Sequence, residues 1–139
     1  MKYFLSLFIA MTSIAIYAQS AESQDEIRVK QIAKATNQWD GSPLPAYPSK
    51  NPEITILSYE IAPGVRLPTH KHPVINAGVI LQGSLTVVSK DGKQLVLNAG
   101  DSIIELVDQW HYGINHGSEP VKLIMFYVGE VGVPLVIKH

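Results

Sequence analysis

The sequence predicts an all-β protein, because short runs of β-forming residues alternate with turn signals from residue 53 to the C-terminal region. The pair Asp91-Gly92, flanked by valine and leucine residues, predicts a two-residue hairpin in which both turn positions have positive φ. The spacing of the runs is typical of a β-sandwich or barrel. The predicted strands are Ile54–Ile61, His70–His72, Asn76–Leu81, Ser84–Lys90, Lys93–Leu97, Ser102–Leu106, His111–Asn115 and Val121–Val128, with a possible final strand over Val131–Ile137.

The N-terminal region divides into a predicted signal peptide over residues 1–20 and a segment over residues 21–52 that contains a proline-rich loop. Lys2 precedes the apolar run Tyr3–Tyr17, and Ala18-Gln19-Ser20 has the small-x-small pattern of a cleavage site. A membrane anchor is the less favoured alternative, since the run is shorter than the roughly 20 apolar residues that span a bilayer. We therefore expect a periplasmic or secreted protein with no stable membrane anchor in its mature form, and one β-domain over residues 53–139.

Composition limits the other possibilities. The 139 residues include no cysteine, so disulfides and thiolate ligands are excluded. The chain has 11 basic and 12 acidic residues, and removal of Lys2 with the leader leaves a net charge of −2. No basic run is present, so nucleic acid is not an expected partner.

Three histidines predict a metal site. His70 and His72 are two residues apart, which places them on the same face of a strand, and His111 lies 39 residues after His72. Imidazole is the commonest metal ligand, and three convergent nitrogens with open positions are how catalytic metals are usually held. His116, by contrast, follows Asn115 in a turn and is expected to be a solvated loop residue.

Two motifs resemble those of the cupin superfamily. Gly64-x5-His70-x-His72-x3-Asn76-x6-Gly83 is similar to the first cupin motif, and Gly100-x10-His111-x3-Asn115 is similar to the second. The resemblance covers roughly residues 54–128. It implies a single conical β-barrel of the jelly-roll type, a divalent metal held by His70, His72 and His111, and a homodimer.

Asn76 departs from the pattern, because the family has glutamate at this position. Asn76 shares parity with the two histidines, so its amide oxygen could be a neutral fourth ligand. The alternatives are a hydrogen-bonding role beside a three-histidine site and, as in some cupins, a site that has lost its metal. The Pro-x-Gly of the second motif is here Leu106-Val107-Asp108.

Two further residues are candidates for chemistry. Glu105 could point inward as a general base or as a partner of a ligand histidine, or it could be an exposed strand carboxylate. Arg66 shares parity with His70 and could bind a substrate carboxylate, or it could be a solvated residue at the rim. Trp39 and Tyr47, in the N-terminal segment, could cover the mouth of the barrel or pack outside it.

The sequence as a whole indicates an exported metal-binding cupin that acts on a small anionic or polyhydroxylated molecule as an oxygenase, isomerase or lyase. The metal would be Fe, Mn, Ni, Zn or Cu, all of which accept nitrogen ligands. A non-catalytic module that binds a small ligand or a metal is the alternative, so whether the protein is an enzyme is left open.

Overall fold

Nine β-strands joined by loops make up the regular secondary structure of the described part of the chain. The structure is a computed structural model, and it describes residues 28–139. Within that range there is no helix, and hence no helix long and apolar enough to traverse a bilayer. The predicted signal peptide, residues 1–20, lies outside the described range. The strands are β1 (Pro52–Ile61), β2 (His70–Lys71), β3 (Ile75–Gln82), β4 (Ser84–Ser89), β5 (Gln94–Asn98), β6 (Ser102–Ile104), β7 (His111–Ile114), β8 (Val121–Glu130) and β9 (Ile137–Lys138).

These strands form two antiparallel sheets. One has four strands in the order β1-β8-β3-β6, and the other has five in the order β5-β4-β7-β2-β9. The all-β prediction and the jelly-roll architecture are confirmed. The barrel of the prediction takes the form of two sheets that face each other, since the described strands make no continuous ladder that closes on itself.

Buried residues alternate with more exposed ones along β8, and this pattern explains why the two sheets stack. Val121, Leu123, Met125 and Tyr127 are buried, while the residues between them are half-buried or exposed. Side chains two apart along a strand share a face, so one face of β8 supplies the core. The core cluster also contains residues of β3, β4 and β5, so it lies between the two sheets.

The connection between β4 and β5 differs from the predicted two-residue hairpin. The backbone N–H of Gly92 donates to the carbonyl of Ser89 at 3.0 Å, and the N–H of Ser89 donates to the carbonyl of Lys93 at 3.0 Å. Only Gly92 of the Asp91-Gly92 pair has positive φ, at 84°. The loop therefore has three residues, 90–92, because a type I turn followed by one left-handed glycine joins two strands without placing an aspartate at positive φ.

The chain ends also differ from expectation. The possible strand over Val131–Ile137 is wrong for most of its length: β9 begins only at Ile137 and pairs with β2. Gly132 has a φ of 86° and Pro134 follows shortly after it, and neither residue suits a regular strand. At the other end, residues 28–35 form neither a helix nor a strand.

Candidate metal centre

Two strands of the five-stranded sheet bring the three histidines together. His70 on β2 is directly opposite His111 on β7 in the register of the ladder. His72 lies just beyond β2, where it forms an isolated bridge with Val107. His72 and His111 are buried and His70 is half-buried, so all three imidazoles are on the inner side of the sheet.

Each imidazole is oriented by a backbone carbonyl. The Nδ1 atoms of His70, His72 and His111 lie 2.8 Å from the carbonyl oxygens of Pro68, Leu135 and Gln109, respectively. A carbonyl oxygen can only accept, so each Nδ1 carries the proton and donates it. In a neutral ring the lone pair is then on Nε2, the atom through which a metal would be bound.

The ring nitrogens converge. One nitrogen from each of the three rings lies within 4.8 Å of the other two. The His111 Nε2 is buried and has no hydrogen-bond partner among the described residues. An unpaired buried acceptor is costly, and a metal ion would satisfy it. The donor set therefore fits a divalent transition metal with three imidazole ligands.

Electrostatics favour the neutral, metal-binding form of these rings. Burial lowers the pKa of His72 to about 4, and burial also lowers the pKa of His70. Because desolvation disfavours the imidazolium form, protons do not compete for His72 at neutral pH.

A cavity of about 330 Å³ opens above the three rings, between the two sheets. Its walls are mainly apolar, and two tyrosines, Tyr59 and Tyr127, join their hydroxyl groups at 3.0 Å. Burial and this hydrogen bond raise the pKa of Tyr127 far above its ordinary value, so its hydroxyl stays protonated. The described lining also contains one acidic residue, Glu105, and one lysine, Lys138.

Glu105 points inward, which decides between the two predictions made for it. It is 7% exposed, and its Oε1 accepts hydrogen bonds from the Trp39 indole at 3.2 Å and from the Leu106 backbone N–H at 3.0 Å. The same oxygen lies 3.7 Å from the Nε2 of His111. The Glu105 carboxylate is therefore held beside the candidate metal ligands.

Asn76 is buried within β3, but it does not line the cavity. Its Nδ2 donates to the Val74 carbonyl at 3.3 Å, and its Oδ1 is a second buried acceptor without a partner among the described residues. Coordination by Asn76 stays a prediction.

Arg66 is not among the residues that line the cavity. Its guanidinium carbon is 3.7 Å from the centre of the Tyr112 ring, and its guanidinium donates to the Leu67 carbonyl and the Thr69 hydroxyl. The solvated-rim alternative describes this position, since Arg66 is exposed. His116 is likewise exposed and lies outside the histidine cluster, as expected for a loop residue.

Two residues of the second motif, the matching Asn115 and the departing Asp108, have structural roles. Asn115 is fully buried, and its amide bonds the carbonyls of Ile61 and Glu119 and the N–H of Gly117. Asp108 occupies the position of the motif glycine and adopts the left-handed φ of 57° that this glycine would provide. These residues shape the turns around the site without entering it.

Three contributors to the site were not identified from the sequence. Lys138 lines the cavity because β9 pairs with β2 beside His70, and Leu135 orients His72 from 63 residues away. Trp39 was expected to cover the mouth of the barrel or to pack outside it, and its contact with Glu105 through the indole N–H was not predicted. No local pattern signals these contacts, because all three depend on how distant segments pack.

Comparison with known proteins identifies the family. A family model described as Cupin domain matches residues 57–127. No curated protein matches the sequence.

Among solved structures, an oxalate oxidase in complex with the substrate analogue glycolate is 20% identical, with a TM-score of 0.53 over 61% of this chain and 45% of that chain. The DMSP lyase DddQ from Ruegeria pomeroyi DSS-3 is 16% identical, with a TM-score of 0.55 over 70% of this chain and 46% of that chain. The polyketide cyclase RemF from Streptomyces resistomycificus is 19% identical, with a TM-score of 0.54 over 65% of this chain and 62% of that chain. This chain thus spans less than half of the length of the first two proteins. At these identities the likeness shows the fold. Since the matched region is 71 of the 139 residues and contains all three histidines, the protein belongs to the cupin family.

Proposed function

We propose that this cupin binds one divalent transition metal through His70, His72 and His111 and acts on a small anionic or polyhydroxylated molecule in the cavity above it. The main observation behind this proposal is that backbone carbonyls accept hydrogen bonds from all three Nδ1–H groups, so three Nε2 lone pairs are available at the cavity. A bound metal would supply Lewis acidity to a carbonyl or enolate, or activate O2. Iron, manganese, nickel, zinc and copper all suit this donor set.

The cavity supports a small ligand. A volume of about 330 Å³ is at the lower end of the range for small-molecule sites. Lys138 is a cation that lines the cavity and could pair with a ligand carboxylate. This role was predicted for Arg66. One similar structure, the oxalate oxidase, holds glycolate, a small carboxylate. These features favour a small carboxylate over a large or uncharged substrate.

Glu105 is the single carboxylate of the described cavity lining, so any carboxylate function at the site, either proton transfer or metal ligation, falls to it. Glu105 is buried, and electrostatic interactions of a carboxylate with little exposure to water are stronger than those at the surface.

A non-catalytic binding module is the second candidate, and the observation that favours it is Asn76, a neutral residue at a position where the family has a carboxylate. Metal-dependent product formation from a keto acid, a phenol or an unsaturated sugar would identify an enzyme. Thermal stabilisation by the same compound without any product would identify a binder.

The metal centre is tested by elemental analysis of protein that is purified without affinity metal resins. We expect about one transition-metal ion per chain in the wild type, none in His72→Ala and the wild-type amount in the matched control His116→Ala, because His116 is exposed and outside the cluster. Unchanged metal content in His72→Ala would refute the assignment.

We further propose a homodimer formed through the outer face of the four-stranded sheet. β1 is a ten-residue edge strand, and Ile54, Ile56 and Phe126 on the outer face are 62%, 58% and 44% exposed. An edge strand beside exposed apolar side chains favours pairing with a second copy. Light scattering should give a dimer for the wild type and for the control Val96→Lys on β5, and a monomer for Ile56→Lys.

Export through a signal peptide over residues 1–20 remains part of the proposal, supported by Lys2, the apolar run after it and the small-x-small pattern at residues 18–20. Cell fractionation with N-terminal sequencing should find a periplasmic or secreted form that begins at about residue 21. A cytoplasmic protein that retains residue 2 would contradict it.

A further inference from the structure

We propose that Glu105 is the carboxylate ligand of the metal centre, and that it takes the place of the glutamate that is missing at position 76. This inference rests on the proposed function, namely a metal held by His70, His72 and His111. It assigns to Glu105 metal ligation rather than proton transfer, because a carboxylate bound to a cation is a much weaker base.

Glu105 and position 76 are neighbours across one edge of the four-stranded sheet. The backbone N–H of Glu105 donates to the Asn76 carbonyl at 3.0 Å, directly after the register pair Ala77 and Ile104. Both side chains are buried, at 1% for Asn76 and 7% for Glu105, so both are on the inner face. Directly opposite residues have Cβ atoms about 5 Å apart. Moving the acid from position 76 to position 105 thus displaces it by one strand and keeps it on the same face.

The carboxylate lies close to one histidine of the cluster, His111. Its Oε1 lies 3.7 Å from the His111 Nε2. Two ligands about 2.1 Å from one tetrahedral ion are about 3.4 Å apart, so a small side-chain adjustment would let both bind the same metal.

The contacts of the carboxylate are those of a supported ligand. Oε1, the oxygen that lies 3.7 Å from the His111 Nε2, also accepts the N–H groups of Trp39 and Leu106. Ligating carboxylates in proteins are typically hydrogen-bonded, and these two donors fix the orientation of the Glu105 carboxylate. The Trp39 contact also makes the N-terminal segment part of the metal centre.

A simple ion pair between Glu105 and His111 accounts less well for the geometry. The Nδ1 of His111 donates to the Gln109 carbonyl, so in a neutral ring Nε2 is an acceptor that faces a carboxylate oxygen, a second acceptor. A proton shared between them would draw the two atoms to about 2.8 Å, well below the observed 3.7 Å. A cation between them would satisfy both acceptors, and a fixed carboxylate would halve its 2+ charge.

The inference is tested by titrating metal-free protein with Co²⁺ and Zn²⁺ and measuring the dissociation constants and the visible spectrum of the Co²⁺ form. Glu105→Gln keeps an amide oxygen for the Trp39 and Leu106 N–H groups, so the fold is expected to persist. We expect at least tenfold weaker binding and a changed Co²⁺ spectrum in this variant. The matched variant Asn76→Ala should stay within about threefold of the wild type. Wild-type affinity and spectrum in Glu105→Gln would overturn the inference, while abolished binding in His72→Ala would still uphold the histidine site. No binding by the wild type would overturn the proposed metal centre and this inference together.

A measurement on the wild type avoids any dependence on variant folding. The infrared difference spectrum between zinc-loaded and metal-free protein, recorded with and without ¹³C-labelled glutamate, should show a glutamate carboxylate band that shifts when the metal binds. A difference spectrum without an isotope-sensitive carboxylate band would overturn the inference.

Discussion

The buried imidazole of His72 predicts a defined loss of stability in acid for the metal-free protein. Its pKa is about 4 in the folded state because of burial, and an unfolded histidine titrates near 6.5. Between these values the unfolded chain binds a proton that the folded protein does not bind. The free energy of unfolding is therefore not reduced by His72 above about pH 6.5, and it decreases as the pH falls from 6.5 toward 4.

The size of the effect follows from the two pKa values. Each pH unit inside the window changes the free energy of unfolding by up to about 1.4 kcal/mol, which amounts to about 2–3 kcal/mol between pH 7.5 and pH 4.5. Other groups titrate over the same range, so the wild type is compared with His72→Gln, which has a similar shape and no titration.

The assay is urea unfolding of EDTA-treated protein at several pH values, followed by tryptophan fluorescence. The difference in the free energy of unfolding between the wild type and His72→Gln should be constant above pH 6.5. At pH 4.5 the wild type should have lost about 2–3 kcal/mol relative to His72→Gln. A difference that stays constant to within about 0.5 kcal/mol from pH 7.5 to pH 4.5 would show that His72 is not held neutral by burial. The result bears on function, because the neutral ring is the form that binds a metal.

Two further predictions concern the turns that frame the site. Asn115→Ala should lower the free energy of unfolding by about 2–4 kcal/mol, since it removes the amide donor to the buried Ile61 carbonyl and to the part-buried Glu119 carbonyl; a loss below about 1 kcal/mol in urea unfolding would contradict this structural role. Gly83→Ala should cost about 2–3 kcal/mol, because Gly83 has a φ of 76° and an added Cβ would lie 2.9 Å from the Pro120 carbonyl oxygen. Its control is Gly92→Ala, which has a φ of 84° but no atom within 4 Å of the added Cβ, so that only the backbone cost of about 1 kcal/mol should remain. Equal losses in the two glycine variants would refute the close approach at Gly83.

Most of the fold could be predicted from local patterns. Alternation along β8 and the turn residues between strands depend on neighbours in sequence, and eight of the predicted strands overlap observed strands, with ends that differ by up to two residues. Two parts of the fold could not be predicted from local patterns. The loop at residues 90–92 depends on which residue accepts positive φ, and β9 forms only because β2 is available to pair with Ile137 and Lys138.

The site, like the fold, could be predicted from local sequence patterns only in part. The spacing of His70 and His72 was enough to place both rings on one face, since parity is a local property of a strand. The sequence alone could not orient Glu105, which lies one residue past the end of β6, nor Arg66, whose side chain stacks on Tyr112. Side chains outside regular strands take the direction that their tertiary contacts impose.

The sequence by itself determined the all-β class, the succession of strands and the three histidines as one candidate metal site, because period-two alternation and short motifs are encoded locally. Only the tertiary structure decided which nitrogen of each ring faces the cavity, through carbonyls that include one 63 residues away from His72. It also decided that the carboxylate beside the histidines is Glu105 and that the cation of the cavity lining is Lys138. Those choices depend on the pairing of strands that are distant in the chain, and that pairing is set by the packing of the whole core.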